Sequence, residues 1–198
     1  NPPDNTMAIS NGGYIVTSVN SRIAVYNTSG GLVGQWDLYT FFNGAGGGVV
    51  NDFFDPNVIY DPGQDRFVFT CSVGRTTANS RVLVAFSKTN NPSSGWWSYY
   101  LTGNPLNNSC WFDYPRIGVS TVEVFITGNL YNNAGNYNNS VIYQIPKTAG
   151  YAGGSLPWQY WNSMAGSPFA ITPVSSGNNA NYGPAFYFVS HNTGSGSA

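Results

Sequence analysis

A hairpin signature is written three times along this chain, and any fold it adopts must treat the copies as equivalents. The fullest copy is Phe54 to Val73, FDPNVIYDPGQDRFVFTCSV. Val58, Ile59 and Tyr60 are β-formers, and Asp61-Pro62-Gly63-Gln64-Asp65 places Asp, Pro and Gly where a tight turn needs them. Arg66 to Val73 is then apolar at nearly every position, which predicts a strand buried on both faces. Phe112 to Asn129, FDYPRIGVSTVEVFITGN, repeats the Phe-Asp, the nearby Pro and a second strand at Val124-Phe125-Ile126-Thr127. Pro3 to Asn20, PDNTMAISNGGYIVTSVN, has Asp4 in the Asp place and Tyr14-Ile15-Val16-Thr17 as its second strand. A fainter copy runs from Phe169 to Asn192.

The copies are in phase. Asp4, Asp55 and Asp113 are 51 and 58 residues apart, and Thr17, Thr70 and Thr127 are 53 and 57 apart. Periods of this length hold about four strands, which predicts β-propeller-type blades rather than a sandwich. The expected fold is all-β, with blades of four antiparallel strands in one domain over residues 1–198. The blades fall near 3–50, 51–109, 110–165 and an incomplete 166–198, about three and a half in all. The glycines at 44 and 46–48 have no following Lys-Ser/Thr and no helix pattern, so they read as a flexible crossover rather than a phosphate loop. No window carries sustained helical periodicity.

Composition narrows the class. Charged residues make up 8% of the chain, about a third of the usual share. Aromatics at 16% exclude disorder. A β protein whose surface is neutral Asn, Ser, Thr, Gly and Tyr fits an extracellular setting. The net charge of −1 with scattered Lys and Arg excludes a nucleic-acid footprint, and no apolar run is long enough to span a membrane. The chain opens inside a copy, at Asn1-Pro2-Pro3, as a processed form or a fragment would. Cys71 and Cys110 are candidates for a disulfide closing a loop of about 40 residues; the alternative is two unrelated thiols.

The recurring Asp4, Asp55 and Asp113 admit three readings. As architecture, each accepts backbone N–H bonds at a turn. As a cation site, they would hold Ca²⁺ near a common axis. As catalysts, they would supply paired carboxyls. Asp61 and Asp65 share a turn but lack the loop and closing Glu of an EF-hand. Trp96, Trp97 and Tyr99 form the densest aromatic cluster, either a sugar-stacking platform or packing between blades. Tyr131 and Tyr137 bound a polar loop, YNNAGNYNN, of the kind that carries binding on a rigid sheet. Arg66, Arg81 and Arg116 each open a strand and are expected to pair with nearby Asp groups. His191, the only histidine, has no nucleophile elbow to serve.

The stretch Ser80-Arg81-Val82-Leu83-Val84-Ala85-Phe86-Ser87-Lys88-Thr89, followed by Pro92 and Gly95-Trp96, resembles a group of secreted bacterial and archaeal β-propeller domains. Cys110-Trp111-Phe112-Asp113-Tyr114-Pro115-Arg116-Ile117-Gly118 carries the same resemblance, which is best between residues 50 and 147. It implies the fold and an extracellular setting but no agreed activity. The Ser-x-Asp-x-Gly-x-x-Trp turn of sialidase-like propellers is missing. The Asp-Pro opening is also similar to five-bladed glycosidases of the arabinanase and xylosidase type. That likeness implies Asp55 as general base and Asp113 as a second carboxylate, with no Glu in the acid's place, since Glu123 lies in a second strand. The expectation is a structural or binding module of a secreted or cell-surface assembly, engaging a protein or glycan partner or further blades. The alternatives are a glycan-processing propeller fragment using Asp55 and Asp113, and a strand-sharing subunit of an extracellular filament.

Overall fold

The computed structural model describes residues 4–164, 168–174, 180–183 and 185–192. Four antiparallel sheets follow one another along the chain. The first is β1 (Thr6–Ile9), β2 (Tyr14–Val19), β3 (Arg22–Asn27) and β4 (Leu32–Asp37), paired in that order. A short helix α1 (Leu38–Phe42) leads to the second sheet of β5 (Phe53–Asp61), β6 (Arg66–Val73), β7 (Arg81–Ser87) and β8 (Trp96–Thr102). The third holds β9 (Cys110–Val119), β10 (Glu123–Asn132) and β11 (Tyr137–Pro146), then helix α2 (Lys147–Ala152) and β12 (Gln159–Trp161). The fourth has two strands among the described residues, β13 (Pro168–Pro173) and β14 (Phe188–Asn192).

The strands match the sequence expectation, with local exceptions. β4 stops at Asp37, whose Oδ1 accepts the Thr40 N–H at 2.8 Å and caps α1. Part of the expected Gly-rich crossover is this helix and a 3₁₀ turn at Asn43–Ala45. The polar loop after Tyr131 is shorter than its composition suggested. β10 continues to Asn132 and β11 starts at Tyr137, while Asn132 Oδ1 accepts the N–H groups of Ala134 and Asn136.

Each pair of neighbouring sheets buries one apolar cluster. Val16, Ile23 and Val25 of the first sheet meet Phe67, Phe69, Cys71, Val73, Leu83 and Ala85 of the second. The opposite face of the second sheet sends Val68, Val82, Val84 and Phe86 against Phe112, Ile117, Ile126 and Tyr143 of the third. Phe125 and Ile142 then meet Ile171 of the fourth, with Phe186 and Phe188 packed alongside. β6 is therefore buried on both faces, as its mainly apolar sequence predicted.

A buried ion pair joins the far ends of these sheets. Asp61, at the end of β5, and Lys147, at the start of α2, are both almost fully buried, with Nζ 3.2 Å from Oδ2 and 3.3 Å from Oδ1. Tyr151 donates to Oδ2 at 2.9 Å, and the Gly63 N–H and Asn181 Nδ2 donate to Oδ1 at 3.0 and 2.6 Å. Lys147 also donates to the Ser120 carbonyl at 2.8 Å. The Asp61 carboxylate is thus fully satisfied, which is the condition for burying it. Asp65, its neighbour in the turn, accepts from the Tyr60 hydroxyl at 2.7 Å, so the two carboxylates serve separate purposes.

Every first strand that can be compared is bulged. In β5, Asp55 and Pro56 stand against Cys71 alone, between the Phe54–Ser72 and Asn57–Thr70 pairs. In β9, Tyr114 and Pro115 stand against Gly128, and in β13, Ala170 and Ile171 stand against Ser190. Asp55, Tyr114 and Ala170 all take positive φ (51°, 60° and 51°), as does Asp4 (40°) just before β1. Gly128 faces the second bulge. A Cβ there would run into the Phe112 ring and come within 2.7 Å of the Asp113 carbonyl. Gly128→Ala should therefore lower stability by about 1–3 kcal/mol, read as a reduced urea midpoint at unchanged m-value.

Candidate functional site

The bulges decide where the recurring carboxyls go. By register and φ, the equivalents of Asp55 are Asp4, Tyr114 and Ala170, so Asp113 sits one residue earlier than the sequence spacing implied. Thr70 and Thr127 are true equivalents, but the first sheet puts Ser18, not Thr17, opposite Thr6. Connecting bonds between sheets confirm the phase. Thr6 Oγ1 accepts the Val58 N–H at 3.1 Å, and Asn57 Oδ1 accepts the Ile117 N–H at 3.2 Å.

Despite the offset, the three carboxyls converge. Asp55 lies within hydrogen-bonding reach of both Asp113 and Asp4. Burial, reinforced by the charges of Asp113 and Asp4, pushes the Asp55 carboxyl up to about 6. Asp113 is also raised, by burial first, while its bond from Asp55 pulls the other way. Both shifts favour the protonated form, through burial and, for Asp55, the charges beside it. Asn20 completes the group by donating to Asp4 Oδ2 at 2.7 Å and accepting the Asp55 N–H at 3.1 Å. A cleft of about 320 Å³ opens beside it, lined by Asp4, Asp55, Asn57, Tyr114 and Arg116.

An aromatic row continues from the carboxyls. The Phe54 ring, with the Arg75 guanidinium 3.9 Å above it, meets Trp111 at 6.1 Å. Trp111 meets Tyr131 at 5.7 Å, Tyr131 meets Tyr137 at 6.1 Å, and Tyr137 meets Phe169 at 5.1 Å. Arg75 is held by Asp52 in an ion pair. Burial and the Asp113 charge raise the Tyr131 hydroxyl, which ties the row to the carboxyl group. Tyr137, Phe169, Ala170 and His191 line an apolar cleft at its far end.

The other predicted residues are employed elsewhere. Trp96 packs on Phe41 at 5.5 Å and donates Nε1 to the Pro92 carbonyl. Trp97 lies under Lys88 Nζ, and Tyr99 packs on Phe86 and donates to the Gly150 carbonyl. The expected platform of Trp96, Trp97 and Tyr99 is therefore packing around the second sheet. Arg66 lies over Tyr151, Arg116 lies over Tyr114, and Arg81 donates to the carbonyls of Gly47, Ala78 and Ser80. Among the described residues none of these three forms an ion pair. Glu123 pairs with Pro146 while Asp113 pairs with Asn129, six residues along β10. That separation is roughly 20 Å at 3.3 Å per residue, so Glu123 cannot act with Asp113.

Sequence reasoning missed Asn20 and Trp111. Asn20 had a visible signal. Two of the hairpin copies end in Asn, at Asn20 and Asn129, and Asn129 Oδ1 accepts the Ala170 N–H at 3.1 Å just as Asn20 accepts that of Asp55. Among the described residues no three His, Cys, Asp or Glu side chains are arranged to hold a metal ion. Neither a family model, nor a curated protein, nor a solved structure matches the chain.

Cys71 and Cys110 are free thiols buried in different clusters, so the candidate disulfide is not made. Cys71 lies between the first and second sheets, Cys110 between the second and third. Burial raises both thiols, Cys71 most. A thiol-reactive dye should label neither cysteine in the native protein and both after denaturation.

The raised Asp55 makes stability depend on pH. The folded state binds its proton more tightly than the unfolded chain, whose ordinary carboxyl value is 3.8. This contribution is complete below about pH 3.8 and is lost as pH rises through about 6. Asp55→Asn mimics the protonated form. It should raise the urea midpoint at pH 7.5 and leave it nearly unchanged at pH 4, where wild-type Asp55 already carries its proton.

Proposed function

We propose that this chain is an extracellular binding module built of β-propeller-type blades, and that it recognises a glycan at the carboxyl and aromatic end of its sheets. The propeller reading draws on the order of contacts. The first strands of successive sheets touch, β1 on β5, β5 on β9 and β9 on β13, whereas β4, β8 and β12 make no comparable approach. Bulges recurring at one level of those first strands fit blades that converge there. The scarcity of charged residues, 8% of the chain, supports the extracellular reading.

The observation that carries the glycan reading is the meeting of three carboxyls with the row Phe54, Trp111, Tyr131, Tyr137 and Phe169. Sugars present hydroxyl donors and apolar C–H faces. Carboxylates accept from the former and aromatic rings cover the latter. Hydrolysis is the weaker reading. Retaining enzymes hold their carboxyls about 5–5.5 Å apart and inverting ones about 6.5–9.5 Å, whereas Asp55 and Asp113 are close enough to share a proton. A screen of wild-type protein against immobilised glycans should find a ligand without releasing product. Trp111→Ala and Asp113→Ala should each weaken it at least tenfold, about 1.4 kcal/mol. Glycan cleavage that Asp55→Asn abolishes would favour the enzyme instead.

The two-stranded fourth sheet favours a second reading alongside this one. Tyr187 and Val189 are 67% and 61% exposed, and β14 has one paired neighbour among the described residues. An added strand, from further blades or from a filament partner, would complete the sheet.

A further inference from the structure

The buried pair Asp61–Lys147 has a third member that ordinary ion-pair packing does not require. Asn181 donates Nδ2 to Asp61 Oδ1 at 2.6 Å, and Lys147 Nζ lies 3.3 Å from that same oxygen. An amine, a carboxamide and a buried carboxyl group therefore meet at one atom. The Asp61 side chain is fully buried and that of Lys147 is 2% exposed, so bulk water does not compete for the amine. The Asp61-Pro62-Gly63 turn leaves space for the approach. A Cβ at Gly63 would stand 2.9 Å from Asn181 Nδ2 and 3.5 Å from Lys147 Nζ. Tyr151 donates to the other carboxyl oxygen and holds the group in place.

We propose that Lys147 and Asn181 are a self-crosslinking pair, with Asp61 as the catalytic proton carrier, forming an isopeptide bond between the two side chains. The ammonium of Lys147 passes a proton to Asp61 along the contact they already make. The neutral amine attacks Asn181 Cγ, forming the Nζ–Cγ bond. Asp61 delivers its proton to Nδ2, the atom it already touches, and the Cγ–Nδ2 bond breaks. Asp61 then takes the surplus proton from Nζ and passes it to the departing ammonia. The products are a secondary amide and ammonium, Asp61 returns to its starting state, and no oxidant or cofactor is consumed. Burial favours the first step, because the proton passed from Lys147 to Asp61 replaces two buried charges by two neutral groups. The bond would tie the segment leading into β14 to α2, fixing the fourth sheet on the third without a disulfide.

Intact-mass spectrometry of the denatured wild-type protein tests this. The expected mass is that of the sequence less one ammonia. Trypsin provides the location, since no Lys or Arg follows Lys147. A crosslinked Lys147 resists cleavage and leaves residues 117–198 as one piece, with fragment ions joining Lys147 to Asn181. Lys147→Arg, Asp61→Asn and Asn181→Ala should each restore the full mass. Of these, Asn181→Ala leaves the buried ion pair intact and so answers the question even if the other two fail to fold. A folded wild-type protein of full sequence mass that trypsin cuts after Lys147 would overturn the proposal. So would an ammonia loss that maps elsewhere, for instance to Asn11-Gly12.

Discussion

The second sheet cannot exist alone. Its β6 and β7 place large apolar side chains on both faces: Phe67, Phe69, Leu83 and Ala85 on one, Val68, Val82, Val84 and Phe86 on the other. Burying a Phe, Leu or Val side chain is worth roughly 1.5–3 kcal/mol. A free-standing sheet would forfeit that on at least one face for every such residue. The need for a neighbour on each side sets the architecture. The first and third sheets satisfy it, and the third passes the same requirement on to the fourth through Phe125 and Ile142. Chain order and spatial order then coincide, since each hairpin can pack on the one before it as soon as it forms.

Stacking leaves the first strands crowded together, and the bulges are the response. An extra residue turns the strand and re-aims side chains. At Asp55 it directs a carboxyl towards Asp4 on one side and Asp113 on the other. Burial and like charges that close make ionisation of Asp55 costly, which raises its carboxyl to about 6. The same residues that shape the convergence therefore create its polar end. The bulge and the meeting of the carboxyls are thus two consequences of one backbone feature.

Much of this was legible in the residues. The both-faces burial of β6 follows from apolar residues at both odd and even positions, Phe67, Val68, Phe69, Cys71 and Val73, and its bounds at Arg66 and Val73 match those read from the chain. The sheet order follows from the repeat. What failed was phase at single-residue resolution. Aligning Asp113 with Asp55 ignores which residue carries the bulge, and a bulge changes register without changing composition. Arg66 and Arg116 went to ring faces rather than carboxylates, Arg66 over Tyr151 and Arg116, which lies inside β9 rather than at its start, over Tyr114. Lys147 was invisible as a site because its partners, Asp61 and Asn181, lie 86 and 34 residues away in sequence.

The scarcity of charge gives its placement meaning. A chain with seven cations and eight anions can hardly hold itself together through surface ion pairs, which contribute little in any case. It hides one pair completely instead, at the junction of β5, the end of β9, α2 and the segment before β14. Burial of this kind is not an efficient source of stability, because desolvation offsets most of the attraction. It does specify geometry, since leaving one partner unpaired in that position costs about 3–5 kcal/mol. Four separate stretches must therefore arrive together before the charge is tolerated. The carboxyl cluster at the other end of β5 makes the complementary point. There crowded negative charge raises the Asp55 carboxyl to about 6, and the polar end opens on a cleft where the Asp61 end is sealed.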